Sequence, residues 1–112
     1  MEKQKILAID DQPAFLDAVG RMLTHLGFEP VLATSARDGL EKLQKSGCAV
    51  MLLDLMMPDI PGQAVLRELN RAHCPVPVVA MSGSGTVDDV ILAFREHATD
   101  FLRKPFALEQ LS

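Results

Sequence analysis

The chain has 112 residues, 48% of them hydrophobic, and a formal net charge of −4. That length suits one compact domain with a single core, and that apolar content excludes a disordered chain. The acidic balance and the absence of a Lys/Arg block exclude nucleic-acid binding by this chain alone, because such binding rests on basic residues facing phosphates. No apolar run is long enough to span a bilayer. The opening "MEKQKILAIDDQ" turns acidic too early for a secretory signal, so a cytoplasmic location is expected. Cys48 and Cys74 belong to no CxxC motif and read as free thiols. His25, His73 and His97 lack metal-ligand spacing and read as surface or helix-end residues.

The elements follow in order. "KILAID" (5–10) is a buried strand. Residues 13–27 form a helix with Phe15, Ala18, Val19, Met22, Leu23 and Leu26 on one face, opened by Pro13 and stopped by Gly27. "FEPVLA" (28–33) is a weaker strand, and Pro30 puts it at a sheet edge. "TSARDGLEKLQKSG" opens with a Ser35-x-x-Asp38 cap signal and turns Ala36, Leu40 and Leu43 inward. "AVMLLD" (49–54) is a strand, 63–72 a short helix, and "VPVVAMS" (76–82) a strand. Residues 86–97 form a helix with Val87, Ile91 and Phe94 inward. "DFLRK" (100–104) is a short edge strand, and "FALEQLS" begins a last helix of under two turns.

Strands alternating with helices call for a parallel sheet covered on both faces. The first, third and fourth strands are almost wholly apolar, as central parallel strands must be. The second and fifth carry edge signals. The fold class is therefore α/β, a doubly wound, flavodoxin-like five-stranded parallel sheet in the order 2-1-3-4-5, with its last helix truncated.

Ligands of such sheets bind outside the carboxyl ends of the strands. Those ends carry Asp10 and Asp11, Asp54, Ser82 with Gly83, and Lys104 before Pro105. Three crowded carboxylates repel unless a cation intervenes. Oxygen ligands few in number suit Mg²⁺ better than Ca²⁺. A carboxylate kept ionised by that ion can attack phosphorus. Each piece has a plainer meaning alone: Asp10-Asp11 as a helix cap, Asp54 in a turn, Met56 and Met57 as core filler, Ser82 as a cap, Lys104 in solvent. Their common position at the functional edge outweighs those meanings.

These residues carry a resemblance. From "KILAIDDQPAFL" through "VMLLDLMMPDIPG" and "VVAMSGSG" to "DFLRKPF", the chain resembles a receiver domain of bacterial two-component response regulators over essentially its whole length. The resemblance implies that Asp54 accepts a phosphoryl group from a phosphohistidine of a sensor histidine kinase or phosphotransfer protein. It implies Mg²⁺ held by Asp11 directly, Asp10 through water, Asp54 and the main-chain carbonyl of Met56. Ser82 matches the family's Ser/Thr switch, Phe101 its aromatic switch and Lys104 its lysine, with a cis bond before Pro105. Gly83 would leave room for the phosphoryl group, and Pro58 and Gly62 would shape the loop after Asp54. Phosphorylation would draw Ser82 inward, turn Phe101 into the vacated space and alter the face of the 86–97 helix and fifth strand. A plainer view of Phe101 is an edge-strand aromatic with no such role.

Gln12 stands where a third acidic residue is frequent, and His97-Ala98 where Gly-Ala is frequent. Met56 and Ser84 match positions whose side chains, in that family, tune phosphate loss; apolar Met56 cannot orient a water and Ser84 does so only weakly, so slow autodephosphorylation is expected. The resemblance implies a phosphoacceptor switch rather than a turnover enzyme. It is either cut from a longer multidomain regulator or a natural short form, and its output lies in a partner protein or domain. Apolar surface left by a short last helix would favour a partner or a homodimer. A Mg²⁺-dependent aspartyl-phosphate phosphatase is the enzymatic alternative, and Met56 stands where its general acid would be. A docking module that has lost phosphorylation is the third, opposed by the intact Asp10, Asp11, Asp54, Ser82 and Lys104.

Overall fold

The computed structural model describes residues 3–55, 59–60, 62–82 and 100–103, with backbone alone for Gln63, Ser82 and 100–103. Strands β1 (Lys5–Ile9), β2 (Glu29–Ala33), β3 (Val50–Asp54), β4 (Val78–Ser82) and β5 (Asp100–Arg103) alternate at first with helices α1 (Pro13–His25), α2 (Ala36–Ser46) and α3 (Gly62–Arg71). All strand pairs are parallel, in the order β2-β1-β3-β4-β5. This is the expected order. The expected helices at 86–97 and after Pro105 lie outside the described residues.

The period-two alternation of the strands divides the core into two layers. Leu7, Ile9, Met51, Leu53, Val78 and Ala80 face α2 and α3, where they meet Ala36, Val65, Leu66 and Leu69. Ile6, Ala8, Leu52 and Met81 face the other way, onto Leu16, Val19 and Leu23 of α1. Leu7, Ile9 and Leu53 are wholly enclosed, and burial of each such side chain contributes about 1.5–3 kcal/mol.

The buried stripe of α1 is Leu16, Val19, Gly20 and Leu23, whereas Ala18 is exposed and Phe15 and Met22 lie at the margin. The expected stripe was thus rotated by about one residue. Gly20 explains the rotation: a β-carbon there would stand 3.2 Å from a methyl of Leu32, so the helix approaches β2 along its glycine.

Helix ends follow local chemistry. Ser35 caps α2 as expected, its Oγ accepting from the amide of Asp38 at 3.1 Å. The side chain of Asp38 pairs instead with Lys42 at 3.0 Å. Helix α1 ends with Phe28 N–H donating to Leu23 O and Gly27 N–H to Thr24 O, with Gly27 at φ +92°. Helix α3 ends with the same pair of bonds, Cys74 to Leu69 and His73 to Asn70, but here the left-handed residue is His73 at φ 53°. His25 is the last residue of α1, so two of the three histidines are helix-end residues.

Strand β2 is the edge that Pro30 foretold. Its outward side is blunted twice: Pro30 has no N–H, and Lys42 Nζ donates to the Leu32 carbonyl at 2.6 Å. Both cysteines are free, with Cys48 buried and Cys74 half-buried.

Candidate functional site

The sheet register assembles the site. Ile9 is paired with Leu53, so the next residues, Asp10 and Asp54, leave β1 and β3 side by side. Asp54 in turn faces Met81, and Leu55 N–H donates to the Met81 carbonyl at 3.0 Å, which sets the β4 terminus at Ser82 beside them. Ser82 pairs with Arg103 across to β5.

One carboxylate oxygen from each of Asp10, Asp11 and Asp54 lies within 4.8 Å of the others. Asp10 is completely buried, Asp54 is 2% exposed and Asp11 is half-buried. Charges so placed are costly to bury without compensation. Three hard oxygen donors converging on one point fit a divalent cation such as Mg²⁺, which binds through few carboxylates and retains waters.

Asp10 is positioned from both sides. Its N–H donates to the Ala33 carbonyl at 3.1 Å, and its Oδ1 accepts from the Gln12 amide at 2.9 Å. Gln12 is itself the residue before Pro13 at the start of α1, and its side chain makes no capping bond. The Asp-Asp pair therefore is not a helix cap, although Asp10 steadies the turn into α1.

Among the predicted residues, Asp10, Asp11 and Asp54 are brought together. Backbone placement puts Ser82 at the carboxyl end of β4, while Phe101 lies opposite Ala80 within β5. Met56, Gly83, Lys104 and the side chains of Ser82 and Phe101 lie outside the described residues.

The sequence reading missed Asp59. This residue lies in the loop after Asp54, and its carboxylate accepts from two amides at the start of α2: Ala36 N–H to Oδ1 at 3.3 Å and Arg37 N–H to Oδ2 at 3.2 Å. With Ser35 taking the Asp38 amide, the first three N–H groups of α2 are satisfied. Burial nudges the Asp59 carboxyl upward, but the amides of Arg37, Ala36, Ile60 and Asp59 itself outweigh it and hold the pKa below the usual carboxylate value. The same loop is closed at its base, where Gly62 N–H donates to the Leu55 carbonyl at 3.1 Å.

A family model, the response regulator receiver domain, matches residues 6–112. The chain is similar to the transcriptional regulatory protein TrcR of Mycobacterium tuberculosis, with 30% identity over 96% of this chain and 42% of that protein. It is also similar to the response regulator RR06 of Streptococcus pneumoniae, with 35% identity over 92% of this chain and 47% of that protein. The chain thus spans a little under half the length of these relatives. Among solved structures, a response regulator receiver domain protein from Clostridium thermocellum superposes with a TM-score of 0.88 at 33% identity, covering 96% of this chain and 87% of that one. A CheY-like receiver domain protein from Methanospirillum hungatei reaches 0.90 at 24% identity, covering 98% and 88%, a likeness of fold.

Proposed function

The chain belongs to the response regulator receiver family of two-component systems, and from that premise we propose that Asp54 is its phosphoacceptor. The observation that carries this reading is the convergence of Asp10, Asp11 and Asp54 within 4.8 Å at the carboxyl ends of β1 and β3. Asp10, Asp11, Asp54 and the main-chain carbonyl of Met56 would hold Mg²⁺. Bound there, the ion would supply positive charge against the phosphoryl oxygens.

An oxygen of Asp54 attacks phosphorus of a phosphohistidine on the sensor kinase or phosphotransfer partner. The P–N bond breaks, its electron pair returns to the imidazole, and an acyl phosphate forms on Asp54. Lys104 would pair with a phosphoryl oxygen, Ser82 would donate a hydrogen bond to another, and Gly83 would leave space beside them. These contacts exist in one state of the domain and not in the other, which is what permits phosphorylation to shift the balance. Phe101 and the 86–97 helix would carry the change outward. With Met56 two residues beyond Asp54, no side chain at that position can direct water, so phosphate loss would be slow.

One relative is named a transcriptional regulatory protein, which favours an output in gene control. Such output would pass through another domain or protein, since the net charge of −4 disfavours DNA contact by this chain. None of the described helices is long and apolar enough to cross a membrane.

The test is incubation with a small acyl phosphate donor and Mg²⁺, followed by intact mass measurement. One phosphoryl adduct is expected, absent in Asp54→Asn. An adduct that persists in Asp54→Asn, or none in the wild type, defeats the reading.

A further inference from the structure

Asp59 closes a ring that contains two of the three acidic positions. From Asp54 the chain runs forward to Asp59, whose carboxylate binds the Ala36 and Arg37 amides. From Ala36 the chain runs back through Ser35 and Thr34 to Ala33, whose carbonyl accepts the amide of Asp10 at 3.1 Å. Asp10 and Asp54 are thereby joined twice, directly by the β1–β3 pairing behind them and in front by the Asp59 bridge.

We propose that Asp59 is a positioning residue for the cation site, a clamp that fixes the loop after Asp54 against α2 and so holds Asp54 in register with Asp10. This deepens the function proposed above and rests on the acidic site binding Mg²⁺.

Several observations support the clamp. The bridge spans 22 and 23 residues in sequence, so it is a tertiary tie and not a local turn bond. Both carboxylate oxygens are engaged, one by each amide. Helix α2 is a firm anchor, because Gly39 lies so close to β1 that a β-carbon would collide with the Ile9 side chain. Ile9 is the residue before Asp10. The Gly62–Leu55 bond ties the two ends of the loop together at its base, and the Asp59 bonds tie the loop to α2 between those ends. Residues outside the ligand set that orient ligands typically shift metal affinity about 10–100-fold when changed.

The test compares wild type, Asp59→Ala, Asp59→Asn and Ser35→Ala. Ser35→Ala removes the other α2 cap without touching the loop, and so controls for loss of helix stability. Mg²⁺ affinity is measured by calorimetry, and the Ala36 and Arg37 amide resonances are followed during the same titration. Asp59→Ala is expected to weaken Mg²⁺ binding about tenfold, the lower end of the range for such residues. Asp59→Asn, which keeps one acceptor oxygen, should fall between, and Ser35→Ala should bind as wild type does. In the wild type both amide resonances should move as Mg²⁺ is added, and in Asp59→Ala they should not follow the titration. Unchanged affinity in Asp59→Ala, or equal weakening in Ser35→Ala, overturns the clamp. Absence of Mg²⁺ binding by the wild type overturns both the clamp and the phosphoacceptor reading. Mg²⁺ binding without phosphorylation of Asp54 defeats the phosphoacceptor reading alone.

Discussion

Gly62 is packed directly on the main chain of Leu55, its amide bonded to the Leu55 carbonyl at 3.1 Å. A β-carbon at Gly62 would overlap the Leu55 α-carbon and crowd its carbonyl oxygen at 2.9 Å. The obstacle is backbone, which cannot swing away as a side-chain end can. Gly62→Ala should therefore destabilise the domain by about 1–3 kcal/mol, the usual range for overpacking, as read by urea unfolding. Unaltered stability would mean that the base of the loop is looser than its geometry states.

The crowding of Asp10, Asp11 and Asp54 gives Asp54→Asn an effect that changes sign with Mg²⁺. Without the ion, removing one of three neighbouring negative charges relieves repulsion, so the variant should melt above the wild type. A cation bound at 100 times its dissociation constant adds about 2.7 kcal/mol to a folded protein. Saturating Mg²⁺ should therefore raise the melting temperature of the wild type and move the variant far less. Melting curves with Mg²⁺ and with a chelator decide it; equal Mg²⁺ responses would count against the acidic site.

Asp59 gives the fold an acid-sensitive fastening. Its carboxyl has a folded-state pKa below the unfolded one. The stabilisation it provides is thus complete above the unfolded value of about 3.9 and fades as pH falls through the lower folded value. The stability gap between wild type and Asp59→Asn should be largest at neutral pH and close on acidification below about pH 4. The carboxylate is exposed, so solvent screening keeps the gap small. A gap that widens in acid would contradict the assignment.

His73 occupies the left-handed position that ends α3, at φ 53°. Gly27 fills the equivalent place in α1. Side chains other than glycine are disfavoured there by roughly 1–2 kcal/mol. His73→Gly should accordingly stabilise the protein by about 1 kcal/mol, offset in part by greater freedom of the unfolded glycine. Thermal melting provides the measurement, and a lower melting temperature would show that the imidazole makes a compensating contact.

The acidic trio could be located from sequence because two apolar strands each run into aspartate, and parallel strands bring their carboxyl ends to one rim. Strand order was readable for a similar reason: Pro30 and the polar ends of 100–104 marked the edges, and unbroken apolar runs marked the centre. The inward stripe of α1 was readable only to within one residue. Its apolar positions cover more than half the helix, and hydrophobicity does not say which margin faces inward. Gly20 decides it, and a glycine contributes nothing to an apolar pattern. Asp59 escaped notice for a different reason. Ser35 and Asp38 form a cap visible at a spacing of three, whereas Asp59 serves the same helix from another loop. The one available hint was a carboxylate inside a Pro/Gly-rich loop following the acidic strand end.

The treatment of β2 also limits how this domain can be joined to others. Pro30 offers no donor, and Lys42 already occupies the Leu32 acceptor. A neighbouring chain arriving at that margin finds one donor missing and one acceptor already taken, which makes it a poor template for another strand. Growth of a shared sheet across several copies is disfavoured there, and fusion or assembly on the β2 side would lean on side-chain surfaces. A lysine on a helix thus helps to fix where the sheet ends.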